Sequence, residues 1–252
     1  MPDQFPSLAT LFSNALTDTQ LKVRSSAVKA LGETMRYVCD EDQHLAHFAP
    51  LLPMVLEVTV TAQKEGNEDL VQTVCEVLYE LTMNNFTTYF KETASFAMGI
   101  LCDGNLELVT RDAGALVMST LIECKPKLFG KKCPVDQITD AFMMMIETAQ
   151  ESAAGAFFDN NPQWRDDDDS DDEDENYDGP TQCGMAQGCL DIMACTLPSK
   201  VFFNLVMTKC MQRMASANGP ARKAGIAALG VVAEVRRGDG GRETTAMFHL
   251  AT

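Results

Sequence analysis

The sequence has 252 residues, long enough for one or two domains with a sizeable core, which excludes fibrous and short disulfide-scaffold classes. Apolar residues make up 46% of it and aromatic residues only 7%, a balance that favours helices packed on helices over a β-sandwich. The net charge of −16 argues against nucleic acid, since phosphate binding is driven by Lys and Arg, and favours basic protein partners.

Recurring residues divide the chain into similar units. Residues 23–32, V-R-S-S-A-V-K-A-L-G, are echoed by residues 221–230, A-R-K-A-G-I-A-A-L-G, with weaker copies between them. The equivalent positions are Arg24, Val71, Arg111, Ala186 and Arg222, at steps of 47, 40, 75 and 36 residues. A period near 40 with one insertion is typical of HEAT or armadillo arrays, in which each unit is a pair of helices.

The predicted elements follow from this period, because a further helix precedes each copy of the motif. Apolar residues at helical spacing predict these first helices at about residues 5–16, 43–64, 86–102, 134–151 and 198–215. Prolines in or near the first turns fit helix starts, where a missing N–H costs little. The sequence therefore predicts an all-α solenoid of about five HEAT repeats over residues 1–234.

An acidic insertion interrupts the fourth repeat at about residues 152–180. Ten of the thirteen residues from Asp166 to Asp178 are acidic, and without them 20 basic residues would face 26 acidic ones, a net charge of −6. Such a density repels itself and cannot bury apolar surface, so we expect an extended, disordered loop. The acidic residues, which are candidate contacts for a basic partner, are Asp166, Asp167, Asp168, Asp169, Asp171, Asp172, Glu173, Asp174, Glu175 and Asp178. The other reading is a solvated linker that keeps the solenoid soluble.

The end of the sequence differs from the repeats. After Glu234 the periodicity is lost and glycines accumulate, which predicts an unstructured tail over residues 235–252. An array that ends on an apolar helix without a polar capping repeat leaves a face unburied, so we expect one piece of a longer solenoid.

The motif helices also carry charged residues that could face the inner surface of the array. Glu33, Glu76, Glu80 and Asp191 are possible contacts for a basic partner, although a solvated face is the commoner outcome for each of them. Arg24, Arg111 and Arg222 recur at one place in the motif. We expect these arginines to form a structural ladder with neighbouring acidic side chains.

No set of residues indicates catalysis, a cofactor or a metal. The sequence has no P-loop, no G-x-S-x-G and no dinucleotide-binding glycine motif. His44 and His47 lack nearby ligands at zinc spacing, and the nine cysteines form no C-x-x-C pair. Such scattered cysteines predict buried thiols in a reducing compartment. Because the sequence has neither a secretory signal nor about 18 consecutive apolar residues, we expect an intracellular protein. Because it has no catalytic motif, we expect that it is not an enzyme.

Three blocks resemble the importin-β superfamily of nuclear transport receptors, and specifically its importin-4 branch. The first block covers residues 22–32. The second is the acidic insertion together with the L-D-I-M-A-C-T-L-P stretch of residues 190–198, and the third covers residues 221–234. The order of these blocks is more specific than a generic HEAT pattern and covers about residues 5–234.

The resemblance implies a superhelix whose motif helices line a concave surface for cargo. It also implies outer grooves between first helices that take phenylalanine-glycine repeats of nucleoporins. Basic cargoes such as histones or ribosomal proteins, the GTPase Ran, and a location in cytoplasm and nucleus are implied as well. Because the N-terminal Ran-binding repeats of such receptors have no counterpart here, we do not expect independent Ran binding. Two alternatives stay open: a HEAT scaffold of another kind, and an acidic chaperone for basic proteins.

Overall fold

The structure, a computed structural model, describes residues 4–38, 41–84, 87–149 and 181–238. For residues 42, 199–201 and 234–238 it describes the backbone only. Within these ranges the chain consists of α-helices, one 3-10 turn and connecting turns, and contains no strand. The all-α fold class is confirmed.

Five consecutive helix pairs make up the described chain. The first helices of the pairs are α1 (Phe5–Leu16), α3 and α4 (Asp42–Phe48 and Leu52–Lys64, joined by the 3-10 turn Ala49–Leu51), α6 (Phe90–Cys102), α9 (Val135–Thr148) and α11 (Ser199–Met214). The second helices are α2 (Leu21–Val38), α5 (Glu68–Met83), α7 (Leu108–Cys124), α10 (Gln182–Thr196) and α12 (Gly219–Gly238). The short helix α8 (Pro126–Lys132) connects α7 to α9. We call the pairs repeats 1 to 5.

Second helices of neighbouring repeats pack on each other in sequence order, so that α2 contacts α5, α5 contacts α7, α7 contacts α10 and α10 contacts α12. The apolar side chains between the two helix layers form one continuous core along the described chain. Leu31, Leu78 and Phe142 are fully buried in it. A repeat alone could not bury this surface, because each one contributes only part of a shared core.

Polar groups of the turns and of neighbouring repeats set where several helices begin. Asn67 caps α5, since its Oδ1 accepts a hydrogen bond from the backbone N–H of Leu70 at 3.3 Å, and Thr181 caps α10 through the N–H of Gly184 at 3.0 Å. At the start of α7 the N–H of Glu107 donates to the carboxylate of Glu68, in the preceding repeat, at 3.1 Å. The carboxylate also suits the positive end of the helix dipole.

Close backbone approach explains two of the helix glycines. A Cβ on Gly32 would lie 2.8 Å from Val77 Cγ2 in the next repeat. A Cβ on Gly114 would lie 2.9 Å from Ile100 Cγ2 and 3.1 Å from the carbonyl oxygen of Ala97. Both glycines therefore allow helices to pack more closely than a larger residue would permit.

The stretch Gln43–Lys64 is long and apolar enough to cross a membrane by length and composition alone, with 22 residues and a mean hydropathy of 1.5. It comprises α3, the 3-10 turn and α4, and 56% of its most apolar window is buried inside the array. Such burial is the property of a core helix in a helical array.

Two predicted segments lie wholly or partly outside the residues that the structure describes. The acidic insertion, with Asp166 to Asp178, falls between α9 and α10 and lies outside the described residues. Helix α12 continues to Gly238, past Glu234 where the periodicity ends, so the start of the predicted tail is helical. Residues 239–252 are not among those described.

Candidate binding surfaces

A groove runs between the first helices α6 and α9 on the side away from the second helices. Its volume is about 310 Å³. Most of the residues that line it are small or apolar: Ala94, Ser95, Met98, Gly99 and Cys102 from α6, Cys133 and Pro134 just before α9, and Ile138 and Ala141 from α9. Because several of these side chains are small, they leave the space between the two helices unfilled.

Gly99 shows how open this groove is. It is exposed, and a Cβ built on it would have nothing within 4 Å. A larger side chain at this position could therefore fill the groove without displacing the backbone.

A basic rim lies at the end of the groove where α6 and α9 begin. We define it as Lys91 of α6 and Lys132 of α8, which line a shallow depression of about 560 Å³ with Thr88, Tyr89, Phe90 and Glu92. Lys91 lines the apolar groove as well. Burial raises the pKa of the nearby Cys133 thiol to about 11, while the charges of Lys91 and Lys132 act in the opposite direction.

The next junction between first helices, α9 with α11, is bridged by ion pairs. Lys209 Nζ lies 2.9 Å from Asp136 Oδ1 and 2.6 Å from Asp140 Oδ2. Arg213 Nη1 lies 3.3 Å from Asp140 Oδ1. Partial burial tends to raise the pKa of Asp140, but the hydrogen bonds and charges of Lys209 and Arg213 outweigh it and hold this pKa below its usual value.

The candidate carboxylates of the second helices are arranged differently from one another. Arg36 lies between two of them, with Nη1 at 3.1 Å from Glu33 Oε1 and Nη2 at 2.9 Å from Glu76 Oε2. Both carboxylate side chains remain more than 60% exposed. Glu80 and Asp191 are partly exposed on α5 and α10 and form no ion pair within the described part of the chain. The structure thus brings Glu33 and Glu76 together through an arginine that the sequence analysis did not single out.

The recurring arginines contact backbone carbonyls, where we expected a ladder of acidic side chains. Arg24 Nη1 donates to the carbonyl of Asp18 at 2.8 Å, after the end of α1. Arg111 Nε donates to the carbonyl of Leu101 at 3.0 Å, in the last turn of α6. Arg222 Nη1 donates to the carbonyls of Ser216 and Ala217, after the end of α11.

Each of these arginines therefore joins its second helix to the carboxyl end of the first helix in the same repeat. There it satisfies carbonyls that have no partner inside the helix, and its charge suits the negative end of the helix dipole. Arg111, which is 4% exposed, also donates to Gln182 Oε1 at 3.1 Å and so reaches repeat 4.

The described residues include no group of three His, Cys, Asp or Glu side chains that could hold a metal ion. His44 Nδ1 contacts Glu41 Oε2 at 2.8 Å, and its ring packs edge-on against Phe5. Burial raises the pKa of Cys75 and of Cys189 to about 12, so both thiols stay protonated at neutral pH.

Sequence reasoning missed the groove and its basic rim. The signal for the groove was weak, because small residues on an amphipathic helix are common and the width of a groove depends on two helices that are distant in sequence. The bridged junction could have been found, since Asp136 and Asp140 on α9 and Lys209 and Arg213 on α11 are each four residues apart.

Comparison with known proteins gives the class of the fold. Residues 1–96 match a family profile described as "IPO5-like, TPR repeats". No curated protein matches the sequence. Solved structures of the karyopherin Kap121p are similar over most of the chain.

Three of these structures are Kap121p bound to Pho4p, to RanGTP and to Nup53p, each with a TM-score of 0.69. They are 20%, 20% and 21% identical in sequence and cover 92%, 90% and 92% of this chain. The chain spans 22% of the length of each Kap121p chain. At this identity the likeness establishes the fold: the chain is a helical-repeat solenoid of the karyopherin type.

Proposed function

We propose that the chain is part of a nuclear transport receptor of the importin-β superfamily, which binds basic cargo proteins without covalent chemistry and moves between cytoplasm and nucleus. The observation that carries this proposal is the likeness of nearly the whole chain to Kap121p, a karyopherin solved with RanGTP and with protein partners. The IPO5-like profile over residues 1–96 supports it from sequence.

The finer assignment is to a receptor of the importin-4 kind that carries histones or ribosomal proteins. It rests on the acidic insertion and on the blocks of residues 22–32, 190–198 and 221–234. The matched profile is named for importin-5-like proteins and covers only the first repeats, before these last two blocks begin. An affinity for histone tails is therefore part of the proposal.

In this proposal different surfaces of the chain bind different partners. Glu33, Glu76, Glu80 and Asp191 on the second helices contact basic cargo, together with the acidic residues from Asp166 to Asp178. The same acidic residues are the candidate contact for Ran, which in this family also needs other repeats. The groove between α6 and α9 takes the phenylalanine side chains of nucleoporin repeats, because it is apolar, open and about the size of a small side-chain cluster.

Binding of a phenylalanine-glycine repeat peptide tests the transport proposal. Gly99→Phe fills the groove and is expected to abolish binding, while the variant stays folded because a Cβ at this position meets no atom within 4 Å. Gly188→Phe is the matched control, since Gly188 of α10 is equally exposed and equally unobstructed but lies on a second helix.

Fluorescence polarisation and circular dichroism of the three proteins give the outcome. Binding lost only in Gly99→Phe supports a transport receptor that uses this groove. If the unsubstituted chain retains no peptide at concentrations of tens of micromolar, the scaffold and the acidic chaperone become the better readings.

Deletion of residues 166–178 tests the acidic insertion. Exposed ion pairs contribute roughly 0.2 to 1 kcal/mol each, so several of them acting together should give at least about a tenfold effect at low salt. We expect the deletion to weaken binding of a histone tail and to flatten its dependence on salt. Unchanged affinity at low salt would remove the insertion from the cargo site.

A further inference from the structure

The basic rim of the α6–α9 groove is unusual for so acidic a chain. The full sequence carries 36 acidic and 20 basic residues, yet Lys91 and Lys132 lie together at one end of the apolar groove. Lys127 and Lys131, which are also exposed, lie on the same short helix α8 as Lys132. The groove therefore ends in positive charge while the molecule as a whole repels anions.

No ion pair within the described part of the chain uses either rim lysine. The carboxylates that bridge the α9–α11 junction are held by Lys209 and Arg213. Glu92 lines the depression beside Lys91 but forms no ion pair with either rim lysine there. Both lysines are exposed, so their ammonium groups are available to a bound partner.

The local fold adds to this positive field. Helices α6 and α9 both begin at this end of the groove, and the amino end of a helix carries a partial positive charge. The walls further along the groove, from Ala94 and Met98 to Ile138 and Ala141, offer contacts for an apolar group. An apolar slot that ends in positive charge fits a ligand that is apolar at one point and acidic next to it.

We propose that the α6–α9 groove binds a peptide that places an aromatic or aliphatic side chain between Met98 and Ile138 and an adjacent Asp or Glu on Lys91 and Lys132. This inference deepens the proposed function and rests on it in taking the groove as a peptide site. It adds that the site selects peptides with an acidic residue next to the apolar side chain, so that neutral and basic repeats bind more weakly. The charged contacts govern selectivity, because rim charges change specificity and association rate more than total affinity.

Three synthetic peptides test the preference on the full chain. All carry the same phenylalanine-glycine core, flanked by Asp and Glu, by Asn and Gln, or by Lys. We expect the acidic peptide to bind about five- to tenfold more tightly than the neutral one at low salt, as for two exposed charge contacts, and the difference to shrink at high salt. A fourth peptide, with phosphoserine in place of Asp, separates carboxylate from phosphate recognition.

A double charge reversal, Lys91→Glu with Lys132→Glu, identifies the contact. It should remove the preference for the acidic peptide and leave affinity for the neutral peptide within about twofold. The matched control is Lys127→Glu on the same helix α8, outside the residues that line the groove or the depression, which should keep the preference. Circular dichroism checks that all variants are folded.

The outcomes separate this inference from the proposed function. Equal binding of acidic and neutral peptides, or an equal loss of preference in Lys127→Glu, overturns the charge-reading rim but leaves the groove as a nucleoporin site. Binding of the phosphoserine peptide alone overturns it in favour of phosphate. If no peptide binds, both the inference and the nucleoporin site fail.

Discussion

Helix α9 takes part in two junctions of opposite character. Toward α6 it presents Ile138 and Ala141, and a groove of about 310 Å³ remains open. Toward α11 it presents Asp136 and Asp140, and Lys209 spans the junction. The same helix can therefore close one junction and leave the next open, depending on whether the facing side chains are small and apolar or long and charged.

The contrast also shows what each kind of junction contributes. The bridged junction is fixed by directional contacts between partly buried charges, which hold two repeats in one register. The open junction contributes little to stability through its outer edge and exposes apolar surface instead. Exposed apolar grooves in proteins commonly mark binding sites.

The largest effect is expected from removing the lysine at the bridged junction. Lys209→Met should lower the free energy of unfolding by about 2 kcal/mol, because two carboxylates then lose their shared partner. Lys132→Met at the open junction is the control and should change stability by less than about 0.5 kcal/mol. Urea unfolding followed by circular dichroism measures both. Equal effects of the two substitutions would contradict the distinction between the junctions.

A smaller effect on stability should distinguish the face of α6 that packs against α7 from the face that borders the groove. Gly114→Ala introduces a Cβ against Ile100 and the carbonyl of Ala97 and should cost about 1 to 2 kcal/mol. Gly99→Ala, which faces the open groove, should instead stabilise the chain by up to about 1 kcal/mol, since Ala favours helix over Gly. Thermal unfolding of both variants gives the comparison. A loss of stability in Gly99→Ala would show that the groove is narrower than described.

The smallest expected effect is a loss of stability at acidic pH. The pKa of Asp140 is lowered in the folded chain, so its ion pairs contribute stability above the ordinary Asp value of about 3.9, and this contribution is lost as the pH falls through the lower folded value. Its side chain is 45% exposed, so solvent screening keeps the contribution at or below about 1 kcal/mol.

Asp140→Asn is the test of this pH dependence. The substituted chain should be less stable than the original at pH 7, and the difference should shrink progressively as the pH falls below about 3.9. Hydrogen exchange of α9 and α11 amides across this range would localise the change to the bridged junction. A difference that does not shrink as the pH falls would indicate a structural cause other than the charge of Asp140.

Much of the fold could be predicted because each repeat shows the same physical constraint. The motif around Arg24 and Arg222 marks second helices whose apolar faces must be covered by a neighbour, and the structure places α2 and α12 at these positions. Helix α9 ends at Thr148 and α10 begins at Gln182, and the predicted insertion at about residues 152–180 lies in the stretch between them that the structure does not describe.

The binding surfaces were harder to predict, for two physical reasons. The partners of Arg24, Arg111 and Arg222 are backbone carbonyls, which every residue has and which leave no mark in a sequence. The groove depends on the distance between α6 and α9, which is set by the packing of the helices behind them, and small side chains such as Gly99 leave that space unfilled. An i,i+4 pattern of charges, in contrast, can be recognised from sequence alone.

The contact between Glu68 and the backbone of Glu107 has a consequence for how this chain can be divided. The amino end of α7 depends on a carboxylate from repeat 2, so a shortened chain that starts at repeat 3 leaves that helix frayed. Truncated versions for crystallography or binding assays should therefore keep α5 and α7 together. Loss of repeat 2, for example by partial proteolysis, would likewise remove the partner of the Glu107 N–H at the amino end of α7.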